Sequence, residues 1–268
     1  MTEEDYRALN RPLWDERVAV HFGSDFYDVP GFRAGAQTLR DFEIAEVGDV
    51  AGRRLAHLQC HFGLDTLSWA RRGARVTGLD FSGAAMEAAQ GLAADCGIDA
   101  RFVTADVYDA PAALGETYDI VYTGLGSLVW LPDLGRWAGV VAALLEPGGF
   151  LYLSEFHPVS HMLDDETGTT VAYDYFDRSP QYWDEPGTYT DGGAALTHTR
   201  SVEFQHGLGD VVSALAAAGL RVDFLHEHDH TLWARFTTLE QDGTVYRQPA
   251  GRPRVPLMYS LKATRPRV

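Results

Sequence analysis

The stretch LAHLQCHFGLDTLSWARRGARVTGLDFS, residues 55–82, decides the fold. An apolar run ends in a tight turn at Gly63. A helical stretch opens at once with Asp65 and Thr66 in its first turn, and a second apolar run ends in Asp80. Strand, turn, helix and strand at this spacing form one right-handed βαβ unit, which brings both strand C-termini to the same edge of a parallel sheet. Open α/β sheets bind ligands at that edge. The acid stands 17 residues past the glycine. In that arrangement loop amides and a helix N-terminus hold a polar tail while a carboxylate accepts from ribose hydroxyls.

The same alternation continues outward. Apolar runs at 54–59, 74–79, 100–104, 118–122 and 150–154 read as strands, and 65–72, 83–96, 111–114 and 134–145 as helices. Later, 208–218 reads as a helix stopped by Gly219, and 220–227 and 255–263 as strands. This predicts an α/β fold, Rossmann-like and doubly wound, with a mostly parallel sheet and an antiparallel last strand. Residues 1–49 read as an N-terminal helical cap and 50–268 as the main domain. An aromatic, glycine-rich insertion at about 158–200 interrupts that domain and is expected to cover the site.

Composition narrows the function. A net charge of -16, from 38 acids against 22 bases, disfavours nucleic acid, whose phosphates need clustered bases. Two cysteines, Cys60 and Cys96, make no disulfide framework and suit a reducing compartment. No signal-like or membrane-spanning apolar run is visible, so a cytoplasmic protein without a membrane partner is expected, either monomer or homodimer. No G-x-G-x-x-G follows the first strand, which disfavours NAD.

A third strand leads to Ala105-Asp106-Val107, where an acid can accept from an adenine amino group beside an apolar face. With these motifs the chain resembles the class I S-adenosylmethionine-dependent methyltransferases. The resemblance runs from about Trp14 to Pro158 and from Gly207 to Lys262. The family's first loop usually reads hydrophobic-Asp-hydrophobic-Gly-Cys-Gly-x-Gly. Here it reads His57-Leu58-Gln59-Cys60-His61-Phe62-Gly63, a form similar to that of a bacterial small-molecule subgroup. His57, Gln59 and His61 replace the acid and two glycines. LDFS with Asp80, Phe81 and Ser82, YDIVYTGLGSLVWLPD at 118–133 and LEPGGFLYLSEF at 145–156 also match. The resemblance implies a seven-stranded sheet and S-adenosylmethionine as cofactor, with S-adenosylhomocysteine as product. It assigns the cofactor to His57, Gln59, Cys60, His61, Gly63, Asp65, Thr66, Asp80, Phe81, Ser82, Ala105, Asp106, Val107, Thr123, Gly124 and Leu125.

Methyl transfer needs a positioned acceptor and, for some acceptors, a base. Glu155 and His157 alternate at the end of strand five and so share a face; His157 is the candidate base, with Glu155 beside it. Trp14, Phe26, Tyr27, Trp130, Tyr173, Tyr175, Phe176 and Trp183 are candidate substrate contacts and suit a flat or apolar molecule. The run His226-Glu227-His228-Asp229-His230 lacks a further ligand pair at a recognised spacing, so no metal is expected. The expected activity is methylation of N, O or C of a small metabolite. A non-catalytic S-adenosylmethionine or nucleotide binder is the alternative, motivated by the altered loop.

Overall fold

The computed structural model describes residues 3–190 and 196–267, with side chains from Tyr6 onward. Residues 1–2 of the expected cap, 191–195 of the expected insertion and the terminal Val268 lie outside the described residues. The chain opens with α1 (Glu3–Phe22), α2 (Val29–Arg33) and α3 (Asp41–Val47). The alternating part follows as β1 (Arg54–Leu58), α4 (Leu64–Arg71), β2 (Arg75–Asp80), α5 (Gly83–Cys96), β3 (Arg101–Thr104), α6 (Ala110–Leu114), β4 (Tyr118–Thr123), α7 (Leu134–Leu144) and β5 (Leu145–Phe156). Then come α8 (Pro158–His161), a ribbon of β6 (Gln181–Asp184) and β7 (Arg200–Glu203), α9 (Leu208–Ala217) and β8 (Arg221–His228). A small sheet of β9 (His230–Thr231), β10 (Glu240–Asp242) and β11 (Val245–Arg247) precedes the last strand, β12 (Met258–Thr264).

The main sheet has seven strands in the order β3-β2-β1-β4-β5-β12-β8. The first five pair in parallel, and β12 runs antiparallel to both β5 and β8. The reversal of strand order beside β1 leaves a crevice at the C-terminal edge, where such sheets take ligands. Alternation along each strand divides the core. Leu55, Ile120, Tyr122, Phe150 and Tyr152 pack with Trp69 of α4 and Val47 of α3. Ala56, Leu58, Val121, Leu151 and Leu153 pack against α6, α7 and α9 on the other face.

Two elements differ from the sequence reading. Strand five begins at Leu145 rather than 150, because Leu145 pairs with Tyr118 and the Pro147-Gly148-Gly149 segment, with Gly148 at φ 88°, continues the pairing beyond β12: Gly148 N–H donates to the Arg265 carbonyl at 2.8 Å and Arg265 N–H to the Gly149 carbonyl at 2.9 Å. A Cβ on Gly149 would stand 2.9 Å from the Asp119 carbonyl oxygen, so no side chain fits. Residues 230–247, to which the sequence reading gave no element, form the three-stranded sheet over the crevice. Among the described residues no helix is long and apolar enough to cross a membrane.

Candidate functional site

The crevice holds two connected cavities. A cleft of about 1500 Å³ lies at the ends of β1, β4 and β5 under α1, the insertion and the β9–β11 sheet. A smaller cavity of about 120 Å³ lies at the ends of β2 and β3. Trp14, Gln59, His61, Leu125 and Trp130 line both.

The turn after β1 shapes the junction. Gln59 and His61 adopt left-handed angles, φ 55° and 50°, in a region that costs an L-residue roughly 1–2 kcal/mol. These are the two positions that the resembling motif gives to glycine. Gly63 is also left-handed, and a Cβ there would meet the Phe102 ring at 2.7 Å. The glycine-loop backbone thus persists without two of its glycines. The Gln59 amide Nε2 donates to the Ser127 carbonyl at 2.9 Å, while its Oε1 is buried without a partner among the described residues. His61 packs among Trp14, His21, Tyr27 and Phe62, with its Nε2 3.0 Å from His21 Nδ1. Burial, His21 and Arg17 push its pKa well below the ordinary value.

At the small cavity Asp80 is 7% exposed. Its carboxylate accepts from the His61 and Ser82 backbone N–H groups at 2.9 and 3.0 Å. Burial outweighs these bonds and pushes its pKa up to about 6. Asp106 lies on the same cavity with Phe81 and Val107. Its Oδ1 accepts from Tyr108 N–H, and its Oδ2 receives Tyr6 Oη at 2.9 Å and Arg7 Nε at 2.6 Å. Helix α1 therefore closes over this end. Asn10 reinforces the closure with a reciprocal pair to the Val202 backbone, both bonds at 2.9 Å.

On the cleft side, His57 Nδ1 lies 2.8 Å from Thr66 Oγ1, and burial holds the ring's pKa down to about 4. Arg40 reaches Glu43 at 3.4 Å and Asp65 at 3.5 Å. His57, Arg40, Asp65, Gly63 and Gly124 line one stretch of the cleft wall. Of the expected cofactor residues, His57, Gln59, Cys60, His61, Gly63, Asp65, Asp80, Phe81, Asp106, Val107, Gly124 and Leu125 line one or both cavities. Thr66, Ser82, Ala105 and Thr123 do not. Thr66 supports His57, Ser82 caps α5 through Ala85 N–H, Ala105 packs on the core beneath, and Thr123 is fully buried.

At the end of strand five the two candidate catalytic side chains lie off the cleft lining. Glu155 and His157 do share a face, but Phe156 and Pro158 line the cleft and they do not. The Glu155 carboxylate accepts from the backbone N–H groups of Gly126, Ser127, Leu128 and Phe156 at 2.6–3.0 Å, anchoring the loop after β4. His157 caps α8 by accepting from Val159 N–H at 3.1 Å, and its Nε2 lies 3.0 Å from Glu227. His161, one turn later, does line the cleft, with Nδ1 2.7 Å from Gln205 Oε1.

Of the substrate candidates, Trp14, Phe26, Tyr27, Trp130, Tyr173, Tyr175 and Trp183 line the cleft. Phe176 does not; at 78% exposed it points to solvent. Residues the sequence reading missed include Arg17, His161, Gln205, Tyr189, Trp233 and Arg235 in the cleft and Tyr6 and Asn10 in the small cavity. The spacing of Tyr6, Asn10, Trp14, Arg17 and His21 carried the signal, since steps of four and three residues place them on one helix face. In the His226–His230 run, His226 meets Glu46 at 2.6 Å, His228 meets Ser260 at 3.1 Å and His230 lines the cleft. Among the described residues no group of three or more His, Cys, Asp or Glu side chains could hold a metal ion.

Residues 56–151 match the family described as a methyltransferase domain. The ubiquinone biosynthesis O-methyltransferase of Saccharophagus degradans is 31% identical over 116 residues, 43% of this chain and 49% of that protein. The chain thus matches about half the length of such curated relatives. Among solved structures, an S-adenosylmethionine-dependent methyltransferase from Mesorhizobium loti aligns with TM-score 0.57 at 22% identity, over 82% of this chain and 94% of that one. One from Clostridium acetobutylicum aligns with TM-score 0.58 at 12% identity, over 95% and 99%. At these identities the likeness is one of fold.

Proposed function

We propose that the chain is a class I S-adenosylmethionine-dependent methyltransferase, a reading its methyltransferase-domain match and its fold support, and that it methylates a small aromatic metabolite at an oxygen atom. The observation that carries this reading is the placement of Asp80 and Asp106 on one cavity of about 120 Å³ that opens into a far larger aromatic cleft. The cavity and its opening into the cleft suit an adenosine, with Asp80 accepting from ribose hydroxyls and Phe81 and Val107 flanking the base. Asp106 keeps acceptor capacity beside Tyr6 and Arg7, since each carboxylate oxygen has two lone pairs.

The remaining groups fit the amino-acid end of the cofactor. Gln59 Oε1 is a buried acceptor without a partner among the described residues, and Asp65 supplies a carboxylate, so both suit an ammonium. Arg40 and the N-terminus of α4 suit a carboxylate. When bound, S-adenosylmethionine supplies an electrophilic methyl group on a sulfonium. The protein's task is then to orient the acceptor, exclude water and remove a proton. Trp14 and Trp130, edge to face with centroids 5.2 Å apart, wall the junction where donor and acceptor meet. His161 is the base in this reading. Gln205 Oε1 holds its Nδ1–H, which leaves Nε2 as the acceptor, and burial lowers its pKa so that the ring is neutral near pH 7. The activity of the curated relatives supports oxygen as the acceptor atom.

The left-handed Gln59 and His61 favour one competing reading, a binder that has lost turnover. Incubation with methyl-labelled S-adenosylmethionine and fractionated metabolite extract separates the two. Enzyme-dependent formation of S-adenosylhomocysteine with label in a small molecule is expected. Binding of S-adenosylhomocysteine without turnover in any fraction would support the binder instead.

A further inference from the structure

Arg17 stands apart from the other cleft-lining arginines. Arg40 meets Glu43 and Asp65, Arg178 meets Asp210, Arg235 meets Asp165, and Arg247 meets Asp242. Arg17 is 7% exposed. Among the described residues no carboxylate comes within ion-pair distance of it, and its Nε is buried without a hydrogen-bond partner. Its guanidinium lies over the Trp14 ring at 5.1 Å and the Trp130 ring at 5.9 Å. Aromatic faces hold the plane of a guanidinium while leaving its N–H edge to bind an oxyanion in bidentate fashion.

A buried cation with no carboxylate partner is costly unless something completes it. Glu203 and Glu185, which line the same cleft, act on it electrostatically without forming an ion pair. Burial pushes Glu203 up to about 7, so it is a partial counter-charge near neutrality. Burial, with a smaller contribution from Arg17, pushes down the pKa values of His21 and His61, which keeps both rings neutral beside the guanidinium. Trp130 links this cation to the cavity junction, since it lines both cavities.

We propose that Arg17 receives an anionic group of the acceptor substrate, so that the substrate is a small aromatic acid whose ring lies among Trp14, Trp130 and Phe156. This rests on the methyl-transfer reading above. Arg17 here is a binding and specificity residue, distinct from the groups assigned to adenosine and to proton removal.

The test uses the full chain saturated with S-adenosylhomocysteine, titrated calorimetrically with a panel of benzoic, cinnamic and indole-carboxylic acids, each beside its neutral amide. At least one acid is expected to bind about tenfold or more tighter than its amide, the size of one charge-assisted pair. Arg17→Met is expected to abolish that gap while S-adenosylhomocysteine affinity stays within about twofold, which also reports that the variant folds; Arg17→Lys keeps part of the gap. Equal binding of acid and amide, a gap that survives in Arg17→Met, or no acid-selective binding at millimolar concentration overturns the proposal. Failure to bind S-adenosylhomocysteine sinks the underlying methyl-transfer reading instead, and the acid-against-amide comparison on the free protein then decides the role of Arg17 alone.

Discussion

The backbone N–H of His61 donates to Asp80 Oδ2 at 2.9 Å, tying the turn after β1 to the end of β2. Through this bond the loop conformation and the ionisation of Asp80 are one system. Asp80 has a folded pKa of about 6 against an ordinary value of 3.8. The folded state therefore binds more protons than the unfolded state between those values, and the contribution of Asp80 to stability falls as pH rises from about 4 to about 6. Ribose hydroxyls donate to the ionised form, so S-adenosylhomocysteine affinity rises over the upper part of the same window. Calorimetry from pH 5 to pH 7.5, about one unit or more either side of the transition, should show this rise. Asp80→Asn should flatten it.

Gln59 and His61 bear the same backbone strain but differ in what their side chains do. Gln59→Gly relieves a left-handed angle and should stabilise the fold by about 1 kcal/mol. It also removes the buried acceptor, so S-adenosylhomocysteine binding should weaken roughly tenfold. His61→Gly relieves similar strain but empties a packed position among Trp14, His21, Tyr27 and Phe62, and should destabilise on balance. Denaturant unfolding of both variants checks the opposite signs.

Glu155 is a loop anchor, and its loss should appear in stability. Glu155→Gln replaces an acceptor-only carboxylate with a group that carries two donors facing backbone N–H groups. A loss of about 2–3 kcal/mol is expected. A variant that keeps wild-type stability yet loses turnover would return Glu155 to the chemistry.

The two histidines near the end of β5 should separate cleanly. His161→Ala should lower kcat about a hundredfold while S-adenosylhomocysteine binding is retained. His157→Ala removes a helix cap and should cost about 1 kcal/mol of stability with little change in kcat.

Most of the main sheet was legible because its strands and helices alternate with strong periodicity, and α5 was read to the residue. The acids at the ends of β2 and β3 were legible for the same reason, since the position of an acid at a strand end follows from local order. The cleft lining was harder. One residue of register separates Phe156, which faces the cleft, from Glu155 and His157, which face away. Alternation gives which residues share a face, not which face meets the ligand. The β9–β11 sheet has strands of two or three residues, too short for a periodic signal. Arg17 sat in a helix stripe whose period was readable, but its lack of an ion pair among the described residues is a fact of tertiary packing.

The central claim is that one cavity, walled by Asp80 and Asp106, holds the adenosine of the cofactor. Calorimetric titration of S-adenosylhomocysteine into the wild-type chain and Asp80→Ala at neutral pH tests it most directly. Micromolar binding by the wild type, weakened at least about tenfold in the variant, is the predicted result. No binding by the wild type at millimolar ligand, or equal affinity in the two proteins, would contradict it.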